Sequence, residues 1–224
     1  MKLNRYNVEE VAYEIIRALH SLSICNANGP MKAEEVIRDV CQKFDVPWDV
    51  VSEEGTTFLH TFAMYDSMEA INALIKGGVD IKTADNFGDT ILHHAFNIEG
   101  ALNGRTNFEV INWALNNGFN INDTNKSGQT PLFMLADVFK AYDVSESEQE
   151  IVVQFVEMFE ACGGDIYHRD HQGRTFLNVL PTDNDEWMVL DPALDPWRIK
   201  MQRHRLNEET QAVSHGASTK GRKI

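Results

Sequence analysis

Residues 85–95 read DNFGDTILHHA, and the same pattern returns three more times along the chain. The other copies are EEGTTFLHTFA at 53–63, NKSGQTPLFMLA at 125–136 and DHQGRTFLNVL at 170–180. In each copy a glycine stands two residues before a threonine, and a leucine stands two residues after that threonine. The glycines lie 33, 40 and 45 residues apart and are Gly55, Gly88, Gly128 and Gly173.

A second glycine turn follows each of the first three copies, after a further apolar segment. These turns read IKGGVDIK at 75–82, NNGFNIN at 116–122 and ACGGDIY at 161–167. From the threonine to the glycine of this turn, the second and third copies are longer than the first by 7 and 12 residues. That difference accounts for the longer spacings, so the chain contains one repeating unit with insertions at about 97–107 and 138–149.

Each repeating unit has the signals of two helices. The threonines stand where a hydroxyl caps a helix start, and Pro131 occupies a first helical position. The segments that follow carry apolar residues at helical spacing, such as Ile71, Leu74 and Ile75. The pattern therefore predicts an all-α protein built from helix pairs that are separated by glycine turns.

The repeat resembles the ankyrin repeat, which has a period of roughly 33 residues and opens its first helix with T-P-L-H-x-A. The resemblance covers residues 55–180. The proline is present only at Pro131, and the histidine only at His60 and His93, because Phe133 and Asn178 replace it in the later copies. The resemblance implies an ankyrin solenoid with β-turn fingers.

The resemblance also gives the neighbouring histidines of the second copy different roles. His93 and its counterpart His60 are expected to hydrogen-bond backbone near the turns and to tie adjacent repeats together. His94 occupies the variable position beside His93, which in this family tends to face the concave surface. We therefore expect His93 to be structural and His94 to be a contact residue.

The two ends of a solenoid must cover exposed apolar faces. Residues 1–54 are predicted to be a degenerate first repeat, with capping helices at about 7–22 and 32–44. Residues 55–180 form the repeats, and residues 181–224 form an irregular C-terminal cap and a basic, flexible tail. Helical potential returns within that last segment at about 196–212.

Charge is distributed unevenly along the chain. The net charge is −14, but residues 1–196 have a balance of −19 and residues 197–224 have a balance of +5. An acidic body disfavours nonspecific binding to nucleic acid or to anionic membranes and favours a partner with a basic surface. Solubility is the competing explanation for the acidic charge.

The cysteines and the hydropathy pattern indicate the cellular compartment of the protein. The three cysteines are scattered and form no C-x-x-C pair, which favours free thiols in a reducing compartment. The N-terminal segment carries charges through its apolar part, unlike a signal peptide, and no run of about 18 apolar residues exists. We predict a cytoplasmic protein without a membrane span.

No enzyme signature is present among the nucleotide-binding, hydrolase and metalloprotease motifs that we searched. The best metal candidate is the group of Cys162, His168 and His171. The two histidines fall in a repeat turn, where polar residues are expected anyway, so the group favours a metal site only weakly. We expect no catalytic residue and no cofactor, and a metal-dependent enzyme is the third hypothesis.

The sequence favours a non-catalytic module that binds another protein. The alternative from another class is an acidic inhibitor that imitates nucleic acid and occludes a basic site on a nuclease or a similar enzyme. Neither the partner nor the oligomeric state follows from the sequence.

Phe87 has two competing interpretations, an exposed interface anchor or a residue packed against the neighbouring finger. The candidate contact residues, on the concave face and the finger tips, are Thr61, Asn86, Phe87, His94, Lys126, Met134, His171 and Gln172.

Overall fold

Helices joined by glycine turns make up the computed structural model, which describes residues 5–25, 32–97, 108–136, 146–179, 196–197, 199–200, 203–204 and 206–207. Over these residues the chain is all-α and contains no β-strand. Its α-helices are α1 (Arg5–Cys25), α2 (Ala33–Phe44), α3 (Phe58–Met64), α4 (Met68–Lys76), α5 (Ile91–Ala95), α6 (Phe108–Asn116), α7 (Glu146–Ala161) and α8 (Phe176–Val179). A 3-10 helix spans Pro131–Met134 between α6 and α7.

The helices pack as successive pairs. Helix α1 packs on α2, α3 on α4, α5 on α6, and the 3-10 helix on α7. The first members of these pairs also pack on one another in chain order, from α1 through α3 and α5 to the 3-10 helix and α8. The predicted alternation of helix pairs is therefore confirmed, although the fourth pair opens with a 3-10 helix instead of an α-helix.

One backbone pattern ends α2, α4, α6 and α7. After α4, Gly78 has a φ of 88°, and the next N–H, that of Val79, bonds to the carbonyl of Leu74. Gly118 and Gly163 repeat this turn after α6 and α7. After α2 the same left-handed position is held by Asp45, with a φ of 54°. The N-terminal helix pair thus ends as the later pairs do.

Phenylalanine rings fill much of the apolar core. The largest fully buried side chains include Phe58 and Phe62 on α3 and Phe155 and Phe159 on α7. Phe96, just after α5, lies edge-on to both rings of α7, with centroids 5.6 and 5.7 Å away. This aromatic cluster joins one helix pair to the next, because α5 and α7 belong to different pairs.

The predicted boundaries need adjustment. The first insertion lies almost wholly outside the described residues, which omit 98–107. Of the second, residues 137–145 also lie outside, and residues 146–149 belong to α7, so that part is helix. No helix of the described residues has the length and the apolar character needed to cross a membrane.

The described part of the C-terminal segment is helical and docks on the last helix pair. Trp197 is buried, and its Nε1 donates to Glu160 at 3.2 Å. Lys200 Nζ lies 2.7 Å from the same carboxylate, and the ring of His204 stacks on Tyr167 at 4.1 Å. The helix expected at about 196–212 is confirmed where the structure describes it.

Candidate functional site

Four turns of the same geometry precede the repeated threonines, and we call them the finger turns. In the second, Oδ1 of Asp85 accepts the N–H groups of Phe87 and Asp89, both at 2.9 Å. Each turn has a glycine with positive φ three residues after such an acceptor. The backbone is therefore held rigidly from within each turn. The acceptors of the four turns are Ser52, Asp85, Asn125 and Asp170.

Consecutive finger turns are joined by backbone hydrogen bonds. The N–H of Asn86 donates to the carbonyl of Glu54 at 2.8 Å, and that of Lys126 donates to Phe87 at 2.9 Å. The N–H of His171 donates to Ser127 at 3.0 Å. The four turns thus form one continuous edge, which we call the finger row (52–55, 85–88, 125–128 and 170–173).

The finger row exposes five of the eight predicted contact residues. Phe87 is 56% exposed, a large value for an aromatic side chain. Asn86, Lys126, His171 and Gln172 are exposed beside it. The exposure of Phe87 contradicts the interpretation in which it packs against its neighbour and supports the one in which it is an accessible anchor.

The other three predicted contact residues are not on an open surface. Thr61 is 1% exposed, and Met134 is half-buried and packs on the core. His94 is 8% exposed: its Nε2 lies 3.3 Å from Asp85 Oδ2 and its ring lies 4.7 Å from that of His60. The prediction of a contact surface is therefore wrong for Thr61 and His94, which are buried, whereas for the half-buried Met134 it stays a prediction.

His94 also helps to hold the second finger turn. Burial raises the pKa of Asp85, but hydrogen bonds from His94 and from the N–H groups of Asp89 and Phe87 outweigh it and lower the pKa below the ordinary value. The carboxylate therefore stays ionised while it accepts these donors. His94 is a support of the turn that presents Phe87.

The buried histidines link a helix start to the following turn. His60 Nδ1 accepts the N–H of Thr57 at 3.1 Å, and its Nε2 donates to the carbonyl of Thr83 at 3.2 Å. His93 Nδ1 accepts the N–H of Thr90 at 3.3 Å, and its Nε2 donates to the carbonyl of Gln129 at 3.1 Å. Both rings are therefore neutral, with the proton on Nε2. The structural role expected for both histidines is confirmed.

The electrostatic environment of His93 favours this neutral ring. Its side chain is fully buried, and burial lowers the pKa of His93 below the ordinary value. The carboxylate of Asp89 opposes that shift without cancelling it. Protonation of Nδ1 would place a donor against the N–H of Thr90, so the link requires the neutral form.

In the third and fourth copies another residue stands at the position that His60 and His93 hold in the first two. Phe133 has no acceptor, and among the described residues the buried hydroxyl of Thr130 has no hydrogen-bond partner. His168 Nε2 donates to the carbonyl of Gly128 at 2.8 Å and so supplies another link between turns. In the fourth copy Asn178 Oδ1 accepts the N–H of Thr175 at 3.1 Å, which keeps the cap of the helix.

The structure does not group the side chains of the metal candidate, Cys162, His168 and His171. His168 uses its Nε2 on backbone, and Cys162 Sγ lies 3.6 Å from the sulfur of Met158. The ring of His171 lies over Gly128 in the finger row. Within the described ranges, no three His, Cys, Asp or Glu side chains are grouped so that they could hold a metal ion.

Sequence reasoning missed the four acceptors that shape the finger turns. Their signal was present, because Ser52, Asp85, Asn125 and Asp170 each stand three residues before a repeat glycine. Ser, Asp and Asn are the residue types that bond their own backbone in turns. It also missed the packing of Trp48 on Gly77, for which no signal exists in the repeat pattern.

The fold and the finger row together define an all-α protein of stacked helix pairs with a rigid edge of turns. In comparison with known proteins, the chain matches no protein-family model and no curated protein.

Proposed function

We propose that the protein is an ankyrin-type solenoid that acts as a non-catalytic binding module and grips another protein with its finger row. The observation that carries this proposal is the exposed ring of Phe87 on a turn held by Asp85 and by the bond from Lys126. An aromatic side chain on a rigid support loses little freedom on binding, which is typical of interface hot spots.

The charges of the finger row indicate what kind of protein surface would fit. Glu53 and Glu54 stand in the first turn, and Lys126 lies in the third. Arg169 is exposed just before the fourth turn. A complementary partner offers basic groups opposite the first turn, an apolar pocket for Phe87, and acidic groups opposite the third and fourth turns.

Affinity capture from the cells that produce the protein tests this proposal. A partner held by the wild-type chain should be lost with Phe87→Ala, since removal of a central anchor weakens binding by about tenfold or more. The matched control is Leu206→Ala, because Leu206 is 55% exposed but lies in the C-terminal segment. Equal capture by both variants would remove the finger row from the proposal.

The acidic inhibitor is the second candidate, and the balance of −19 over residues 1–196 favours it. It requires a surface of uniform negative charge, whereas the finger row carries both signs. The dependence of binding on salt separates the two candidates. The affinity of a nucleic-acid mimic falls steeply between about 50 and 200 mM salt, while an interface centred on Phe87 changes little.

A further inference from the structure

A cavity of about 690 Å³ lies between α2, the end of α4 and the loop at 46–48. None of its lining residues belongs to the finger row, so it is independent of the proposed protein-binding surface. Its volume falls within the range of roughly 300–1,000 Å³ that is usual for small-molecule sites.

One wall of the cavity is the indole ring of Trp48. A Cβ atom added to Gly77 would come within 1.5 Å of Cη2 of this ring, so the indole lies directly on the glycine backbone. Trp48 is nevertheless 36% exposed. The absence of a side chain at Gly77 therefore seats a flat aromatic surface at the edge of the cavity.

The charges of the lining leave one cation uncompensated. Lys76 Nζ and Glu34 Oε1 form an ion pair at 3.0 Å. A backbone hydrogen bond at the start of α2, followed by the bond from Lys76, lowers the pKa of Glu34, which keeps this carboxylate ionised. Arg38 also lines the cavity but has no hydrogen bond or ion pair within the part of the chain that the structure describes.

Arg38 and Gln42 stand four residues apart and therefore share one face of α2. The side-chain amide of Gln42 likewise has no hydrogen-bond partner among the described residues. A guanidinium fork and an amide on one wall match the oxygen atoms of a carboxylate or a phosphate. This local positive site contrasts with the net charge of −14 of the whole chain.

We propose that this cavity binds a small molecule that combines a planar aromatic ring with one anionic group. Arg38 and Gln42 hold the anionic group, and the ring stacks on Trp48. Cys41 also lines the cavity, and burial raises the pKa of its thiol to about 11, so the thiol is protonated at neutral pH.

Isothermal titration calorimetry of the full chain with 2-naphthoate tests the proposal, and 2-naphthyl phosphate tests the other source of the anionic group. We expect one saturable site for at least one of these anions. Neutral 2-naphthalenemethanol should bind about tenfold more weakly, because it lacks the charge-assisted bond to the guanidinium. No saturable binding of either anion, or equal affinity for the neutral probe, would overturn the proposal.

Variants of the lining residues test whether the anion binds in this cavity. Arg38→Gln should weaken the affinity for the anion about tenfold and leave that for the neutral probe unchanged. Arg17→Gln, at an exposed arginine of α1 that does not line the cavity, is the matched control and should bind as the wild type does. Trp48→Leu should weaken both kinds of probe, provided that its melting temperature shows a folded chain. An anion affinity that is unchanged in Arg38→Gln would place the site elsewhere.

Discussion

The second and third finger turns have the same backbone geometry but different links to the helices that follow them. After the second, His93 joins the N–H of Thr90 to the carbonyl of Gln129. After the third, Phe133 makes no such link, and among the described residues the hydroxyl of Thr130 has no partner. The turn therefore does not depend on the histidine. Its shape comes from the turn acceptor and the glycine, and the histidine adds stability.

Replacing His93 of the second copy with phenylalanine, the residue at the same position of the third copy, is expected to have the largest effect on stability. His93→Phe leaves the N–H of Thr90 without a partner and the carbonyl of Gln129 with only the bond from the N–H of Asn125, at a cost of about 3 kcal/mol in the free energy of unfolding. His93→Asn imitates Asn178, which keeps the cap but cannot reach the next turn, so about half of that cost is expected. Urea denaturation followed by circular dichroism measures both, and equal losses would contradict the two-part role of the ring.

Glycine replacements compare an interior turn with the last one. A Cβ at Gly88 would lie 2.9 Å from the backbone nitrogen of Lys126, and φ is 85° there. At Gly173 φ is 76°, but no atom of the described residues lies within 4 Å of such a Cβ. Gly88→Ala should cost about 2–3 kcal/mol and Gly173→Ala about 1 kcal/mol, because only the former adds a clash to the left-handed backbone. Denaturation midpoints in urea report the difference.

Replacement of the helix-capping threonines Thr90 and Thr130 is expected to give the smallest difference in stability. Thr90→Val removes a hydroxyl that lies 3.0 Å from His93 Nδ1 and should cost about 1 kcal/mol. Thr130→Val removes a buried hydroxyl that has no partner among the described residues, so stability should be unchanged or slightly higher. A loss of equal size in both variants, measured by thermal unfolding, would show that Thr130 is hydrogen-bonded in solution.

The sequence was informative where a repeat dictates local backbone. The spacing of the glycines predicted the turns, because left-handed backbone favours glycine, and the threonines predicted the helix starts. His60 and His93 were assigned correctly because their bonds are to backbone atoms that every copy of the repeat provides.

The candidate site was less predictable, because exposure depends on neighbours that the repeat pattern does not identify. His94 was assigned to an open face, but its Nε2 donates a hydrogen bond to Asp85 and the ring of His60 lies against it at a tilt. Thr61 was assigned in the same way and is buried. The finger-tip residues were correctly placed outside, since the Asx turns leave their side chains no interior to enter.

Acid should destabilise the fold through His93. Its pKa is lowered in the folded chain, so the unfolded chain binds more protons at and below its ordinary pKa of about 6.5. Stability is therefore full above that value and decreases as the pH falls toward the lower folded pKa. Asp89 and His94 face the ring and modify the slope. His93→Asn should flatten the pH dependence of the urea midpoint between pH 7 and 5, and an unchanged slope would assign it to other groups.

The central claim is that the buried histidines hold the stack while the finger row is left for binding. Its most direct test is a long-range ¹H–¹⁵N correlation spectrum of the imidazole rings, recorded from pH 7 to pH 5. We predict neutral rings for His60 and His93 with the proton on Nε2, and a His93 titration below the ordinary value. A proton on Nδ1 of either ring, or a His93 that titrates like a free imidazole, would contradict the account.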